Sequence, residues 1–247
     1  MGALVQSTRN EKRRALVGLL LVGIAPTVSV VTGFALKAGL IAAVVFVLTK
    51  MWMFGLPAYW YTKVEGGERS YSMPEHGGWM VSTLLGIGMA VVIAIAYFIL
   101  GDMLLRNEDL YEILDPFGLT VPWKLALGIL FWIFINSVLE EYVFRWFITS
   151  KLEQLIGGKW LPILLSAGIF TLHHTIALAF FIDPLGNALA SLGVFIGGVI
   201  FSWIYVQYRS VWVAWVAHAI ADIAIFAIAW HIICLLYTSD AADDGVG

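Results

Sequence analysis

Apolar residues in this chain come in long unbroken blocks rather than in the alternating or three-to-four spacing of half-buried elements. The blocks fall at about 15–36, 38–61, 78–100, 122–149, 160–182, 186–208 and 211–233, each bounded by charge, glycine or proline. Each is close to the roughly 20 residues that a helix needs to cross hydrocarbon. The pattern predicts an all-α, polytopic membrane bundle of about seven transmembrane helices. A strand barrel would need short alternating segments, and none is present. Between the second and third blocks lies a polar loop, Thr62 to Gly77. The stretch Gly101 to Thr120 interleaves Leu and Tyr with acidic residues and predicts a short interfacial helix, ended by Asp115 and Pro116.

Composition strengthens this picture: 61% of the 247 residues are hydrophobic and 13% charged. Mean hydropathy is +0.89, far above what a soluble domain tolerates. With a formal net charge of −3, nothing points to nucleic acid as a partner. The expected surroundings are the lipid bilayer; the sequence does not fix an oligomeric state. Arg9, Lys12, Arg13 and Arg14 precede an apolar run without a small-residue cleavage site, which predicts a retained first anchor rather than a removed signal. With the N-terminus in the cytoplasm, Lys63, Arg69, Lys151, Lys159 and Arg209 also fall inside, whereas Lys37, Arg106 and Lys124 fall outside. That bias has the sign of the positive-inside rule. Trp60, Trp79, Trp123, Trp160 and Trp212 lie near block ends, as an interfacial belt requires.

Glu140, Glu141 and Arg145 interrupt the fourth block. An intramembrane charge costs at least ~2.5–3.5 kcal/mol on insertion scales, so three in so short a stretch mark a bundle-facing site. Glu141 and Arg145 are four residues apart and able to pair along one helix face, which leaves Glu140 to point elsewhere. The fifth block carries His173 and His174; the seventh carries His218 and Asp222, again four apart. Counting ~1.5 Å per residue from the cytoplasmic ends puts Glu140 at ~15 Å, His174 at ~21 Å, His218 at ~10 Å and Asp222 at ~16 Å. One slab of membrane holds all four. A carboxylate with two imidazoles in one buried layer suffices to activate water and stabilise an oxyanion.

Three motifs now stand in order on separate helices: Glu140-Glu141-Tyr-Val-Phe-Arg145 as E-E-x-x-x-R, Phe170-Thr-Leu-His-His174 as F-x-x-x-H, and His218-Ala-Ile-Ala-Asp222 as H-x-x-x-N/D. Together they resemble the CAAX protease and bacteriocin-processing (CPBP, Abi) family of intramembrane glutamic endopeptidases, over the half of the chain from the fourth block onward. The resemblance implies Glu140, His174, His218 and Asp222 as catalytic residues. Glu140 would take a proton from water, His174 would position that water, and His218 with Asp222 would stabilise the oxyanion. Glu141 and Arg145 would support geometry and charge. It further implies a membrane-embedded or lipidated peptide substrate, prenylated CAAX proteins being the substrates of eukaryotic members, and no cofactor. Zinc stays an alternative, because Glu and His are metal ligands, although the fourth block lacks H-E-x-x-H. Asp222 stands where many relatives have Asn.

Other readings compete. Midplane acids and imidazoles also build the relays of proton- or ion-coupled transporters, but these show broken, repeated halves, and here the polar residues gather in the C-terminal half. A non-proteolytic immunity or scaffold member of the family is the third option. His173, one helical step from His174, is expected to pack behind the site, and His76 and His231 to meet headgroups or solvent. Asp183 before Pro184 reads as a turn residue. Gly193, Gly197 and Gly198 have the spacing of a close helix contact. The segment from Cys234 resembles a sequencing-adapter translation, so the transmembrane domain is expected to span 1–233, with 234–247 a non-native tail, and the source to be a prokaryotic plasma membrane.

Overall fold

The computed structural model describes residues 9–35, 40–68, 70–104, 114–115, 118–180 and 182–243. Seven helices in it are long and apolar enough to cross a membrane, and no strand occurs among the described residues apart from an isolated bridge position at Ile182. The protein is an integral membrane helical bundle, as the block pattern predicts.

The first span joins two helices, α1 (Arg9–Gly23) and α2 (Ala25–Ala35). Pro26 cannot donate a backbone hydrogen bond, and the helix breaks beside it. The span nevertheless continues, because the Ile24 amide bonds Leu20 and the Val28 amide bonds Ile24. The second span is α3 (Leu40–Tyr59), which widens into a π-helix over Trp60–Val64 just after Pro57. Next come α4 (Trp79–Leu104), α5 (Pro122–Ile156), α6 (Trp160–Leu178), α7 (Pro184–Tyr208) and α8 (Val211–Asp243). The interfacial helix expected at 101–120 lies largely outside the described residues; within it, α4 runs on to Leu104 and Thr120 donates to Asp115 at 2.9 Å.

Local chemistry sets the turns between the later helices. Gly157 and Gly158 take φ of 75° and 71°, a left-handed conformation that glycine adopts without strain, and so end α5 sharply before Trp160. Asp183 is more than a turn residue, since its carboxylate caps α7 by accepting the Leu185 and Gly186 amides at 2.8 and 3.0 Å. Of the three glycines at small-residue spacing, Gly198 makes the close contact: a Cβ there would meet Ala167 of α6 at 3.2 Å. At Gly193 a Cβ would meet nothing, so that position does not hold the helices together.

The loop after α3 is bonded down across one end of the bundle. Ser72 Oγ accepts the Val211 amide at 2.9 Å, and the Trp212 indole donates to the Tyr71 carbonyl at 2.8 Å. Lys151 pairs with Glu65 at 2.5 Å, and Arg209 with Glu153 at 2.7 Å. The Glu153 carboxylate holds the Arg209 guanidinium above its usual pKa. The central packing is aromatic and aliphatic, with Val143, Phe144, Phe147 and Ile148 of α5 buried against Val22, Met53 and Phe170.

Candidate active site

Helix α5 is not uniform along its length. Two π-helical segments, Trp132–Asn136 and Tyr142–Thr149, flank a single α-helical turn, Ser137–Glu141, that carries both glutamates. Such wide turns inside α-helices occur often at functional sites, because they leave carbonyls for other partners. Here Ser137 Oγ donates to the Ile133 carbonyl, and Thr149 Oγ1 donates to the Phe144 carbonyl at 2.8 Å. From this helix Trp132, Asn136, Glu140 and Phe144, spaced by four, form one wall of a cavity of about 270 Å³.

The cavity brings together most of the residues singled out in the sequence. Glu140, His174, His218 and Asp222 all line it, from α5, α6 and α8. Glu140 keeps 14% of its side chain accessible, and its Oε1 accepts from Asn136 Nδ2 at 2.7 Å. Its Oε2 lies 3.8 Å from His218 Nε2. His174 Nδ1 lies 2.9 Å from the Phe170 carbonyl. A carbonyl only accepts, so Nδ1 carries the proton, and a neutral ring then presents a basic Nε2.

Glu141 and Arg145 lie behind the cavity wall, both fully buried. Their ion pair spans 3.2 Å along one helix face, as the four-residue spacing predicts. Glu141 also reaches across to α8, where its Oε1 accepts from His218 Nδ1 at 2.9 Å, a bridge that the sequence did not announce. His218 Nε2 is thereby turned to Glu140 and to Asp222, whose Oδ1 is 3.6 Å away. Among the described residues the Arg145 Nη atoms have no hydrogen-bond partner; instead the guanidinium lies 4.5 Å from the Phe170 ring centroid and 5.4 Å from that of Phe201. Cation–π attraction takes the place of hydrogen bonds there. Phe201 also stacks on His218, with centroids 4.6 Å apart.

Asn136, Lys50 and Phe201 escaped the sequence reading, and His173 was read only as a packing residue. His173 does not merely pack behind His174: it stacks on Phe144 at 5.3 Å and lines the cavity. A ring nitrogen of His173, one of His174 and a Glu140 oxygen lie within 4.8 Å of one another, a donor set that a divalent metal would accept. Lys50 of α3 also lines the cavity, and a lone lysine within an apolar span was signal enough to find it. Phe201 left no signal, because a phenylalanine in an apolar helix looks the same whether it meets lipid or an imidazole.

Bundle and cavity together define a class: an integral membrane protein with an acid–imidazole site enclosed by its spans. Residues 122–224 match the family model described as type II CAAX prenyl endopeptidase Rce1-like, which bears out the resemblance carried by the three motifs. At family level the chain is similar to membrane proteases of the CAAX type. Neither the curated proteins nor the solved structures give a match.

Proposed function

We propose that this protein is an intramembrane endopeptidase that hydrolyses a peptide bond of a membrane-associated, CAAX-type substrate, with water activated by Glu140 and His174. The observation that carries the reading is the convergence on one cavity of the Glu140 carboxylate and the Nε2 of His174, which has no hydrogen-bond partner among the described residues. Both are bases, and both face space in which a water and a carbonyl fit. Glu140 takes a proton from the water while His174 Nε2 accepts a hydrogen bond from it and aims the lone pair. Attack forms the C–O bond and pushes the carbonyl electrons onto oxygen.

In this reading His218 is the oxyanion donor. Its Nδ1–H is engaged by Glu141, which offsets the charge of the doubly protonated ring, and its Nε2–H points into the cavity beside Asp222, which as the neutral acid donates to the same oxyanion. Collapse of the intermediate breaks the C–N bond, and Glu140 returns its proton to the leaving amine. Asn136 holds the Glu140 carboxylate throughout. The basic residues at the starts and ends of the spans favour an N-terminus in the cytoplasm and a cavity that opens to that half.

This mechanism needs no metal, and the donor set of Glu140, His173 and His174 defines the competing zinc reading. The test is cleavage of a prenylated peptide and a membrane-peptide library by wild type and by Glu140→Ala. Expected are cleavage by wild type, none by the variant, and full activity in the presence of chelators. Activity lost to chelators and restored by zinc would sink the metal-free mechanism, and equal activity of the two proteins would sink the role of Glu140.

A further inference from the structure

The face of α1 turned away from the bundle is cationic at its start and apolar beyond. An α-helix turns ~100° per residue, so Ala15, Gly18 and Val22 fall together, and these are the residues that α1 buries. Arg9, Lys12, Arg13, Leu16 and Leu20 fall on the opposite side and are exposed. Arg14 turns back to the bundle, where its Nη1 donates to the Val64 carbonyl at 3.1 Å. Glu11, the acid of this helix, falls in line with Ala15, Gly18 and Val22, away from the other cations. Leu155, near the end of α5, closes a groove of about 640 Å³ against Arg9, Asn10, Lys12, Arg13 and Leu16. Among the described residues no carboxylate pairs with Arg9, Lys12 or Arg13. Like charges crowded into one groove repel, and an anion that enters it relieves them.

We infer that this groove binds an anionic phospholipid, with its phosphate held by Arg9, Lys12 and Arg13 and an acyl chain laid along Leu16 and Leu20. Three features agree. Basic recesses between transmembrane helices are suited to lipid phosphates, and this one lies between α1 and the end of α5. Guanidinium forks grip phosphate oxygens in pairs, and an ammonium adds a point charge. The cations also run directly into exposed leucines on the same face, which matches a molecule with a charged head and an apolar tail rather than a free phosphate. From Arg9 to Leu20 the helix advances ~16 Å, enough to lead from headgroup level into hydrocarbon. The groove shares no lining residue with the cavity of Glu140, so the inference stands apart from the endopeptidase reading.

The experiment measures binding of fluorescently labelled phosphatidylglycerol and phosphatidylcholine to the full chain in zwitterionic micelles. Wild type is compared with the triple variant Arg9→Gln, Lys12→Gln, Arg13→Gln, and with Lys63→Gln, which removes an exposed cation outside the groove. Wild type should bind phosphatidylglycerol at least about tenfold more tightly than phosphatidylcholine, a modest demand on three cations near a headgroup. The triple variant should bring the two lipids within about twofold, and Lys63→Gln should keep the preference. Leu16→Glu, a single exposed change that sets a carboxylate in the groove, should also abolish it and keeps the test decisive if the triple variant does not fold. Equal binding of both lipids by wild type overturns the inference, as does a preference that survives in the triple variant and in Leu16→Glu. An equal loss in Lys63→Gln overturns it too, since attraction would then be diffuse. Inorganic phosphate or the deacylated headgroup competing as well as the whole lipid would replace the lipid site by one for a free anion.

Discussion

Glu140 and Glu141 are neighbours in sequence, yet one faces a cavity and the other is sealed in protein. Glu140 keeps one oxygen for Asn136 and exposes the other to empty space beside two histidines. Glu141 has no exposed surface and divides its oxygens between Arg145 and His218. The difference teaches that burial and partners, rather than residue type, separate a group open to a cavity from one that is fixed by its neighbours. His218 is the wall between the two environments, with one ring nitrogen in each.

The sharpest way to break this comparison is to neutralise each glutamate side in turn. Glu140→Gln should lower kcat by about 10²–10⁴-fold, the usual worth of a general base, while the thermal unfolding midpoint in detergent stays near that of wild type. A midpoint that falls along with turnover would make Glu140 structural. Arg145→Met should do the reverse, because it strands Glu141 as an unpaired buried charge. Breaking such a pair costs about 3–5 kcal/mol, and the loss should appear as a much lower unfolding midpoint. Adding Glu141→Gln to Arg145→Met should recover part of it, and a double-mutant cycle measures how much. If the two losses simply add, the pair is not coupled.

Smaller changes sharpen the boundary. Phe201→Leu should cost about 0.5–2 kcal/mol, the range for a cation over an aromatic face, and should lower kcat more than it raises KM because His218 loses the ring it stacks on. Unchanged kinetics would detach Phe201 from the imidazole. The mildest expected effect belongs to Asp222→Asn, since a neutral amide beside His218 still donates to an oxyanion. Retained or improved turnover fits that role, whereas a severe loss would assign Asp222 the task of holding His218 as an ionised carboxylate.

Much of this was legible in the sequence because membranes make polarity costly. The seven spans follow from block length alone, and Glu140, Glu141, Arg145, His174, His218 and Asp222 stand out as the groups that hydrocarbon would reject. Helix periodicity also gave the Glu141–Arg145 pair. Contacts between helices were not legible. The bridge from Glu141 to His218 and the stacking of Phe201 depend on how α5, α7 and α8 pack, which no local pattern encodes. His173 packs as expected and also reaches the cavity: one helical step turns a side chain by about 100°, but a cavity bordered by several helices is wide enough to meet two neighbours. Lys50 was legible and passed unnoticed among the apolar residues around it.

The wide turns of α5 also act as gearing. In an unbroken α-helix, residues spaced by four drift about 40° per step, so Trp132 and Phe144 would end up about 120° apart. Stretches that turn fewer degrees per residue run the rotation back, and Trp132, Asn136, Glu140 and Phe144 keep a common heading along the cavity. Position along this helix is therefore also angular phase. A substitution at one of these positions alters one side chain, whereas winding Trp132–Asn136 into ordinary α-helix at unchanged length would turn Glu140 about 80° away from Trp132 while leaving its chemistry untouched.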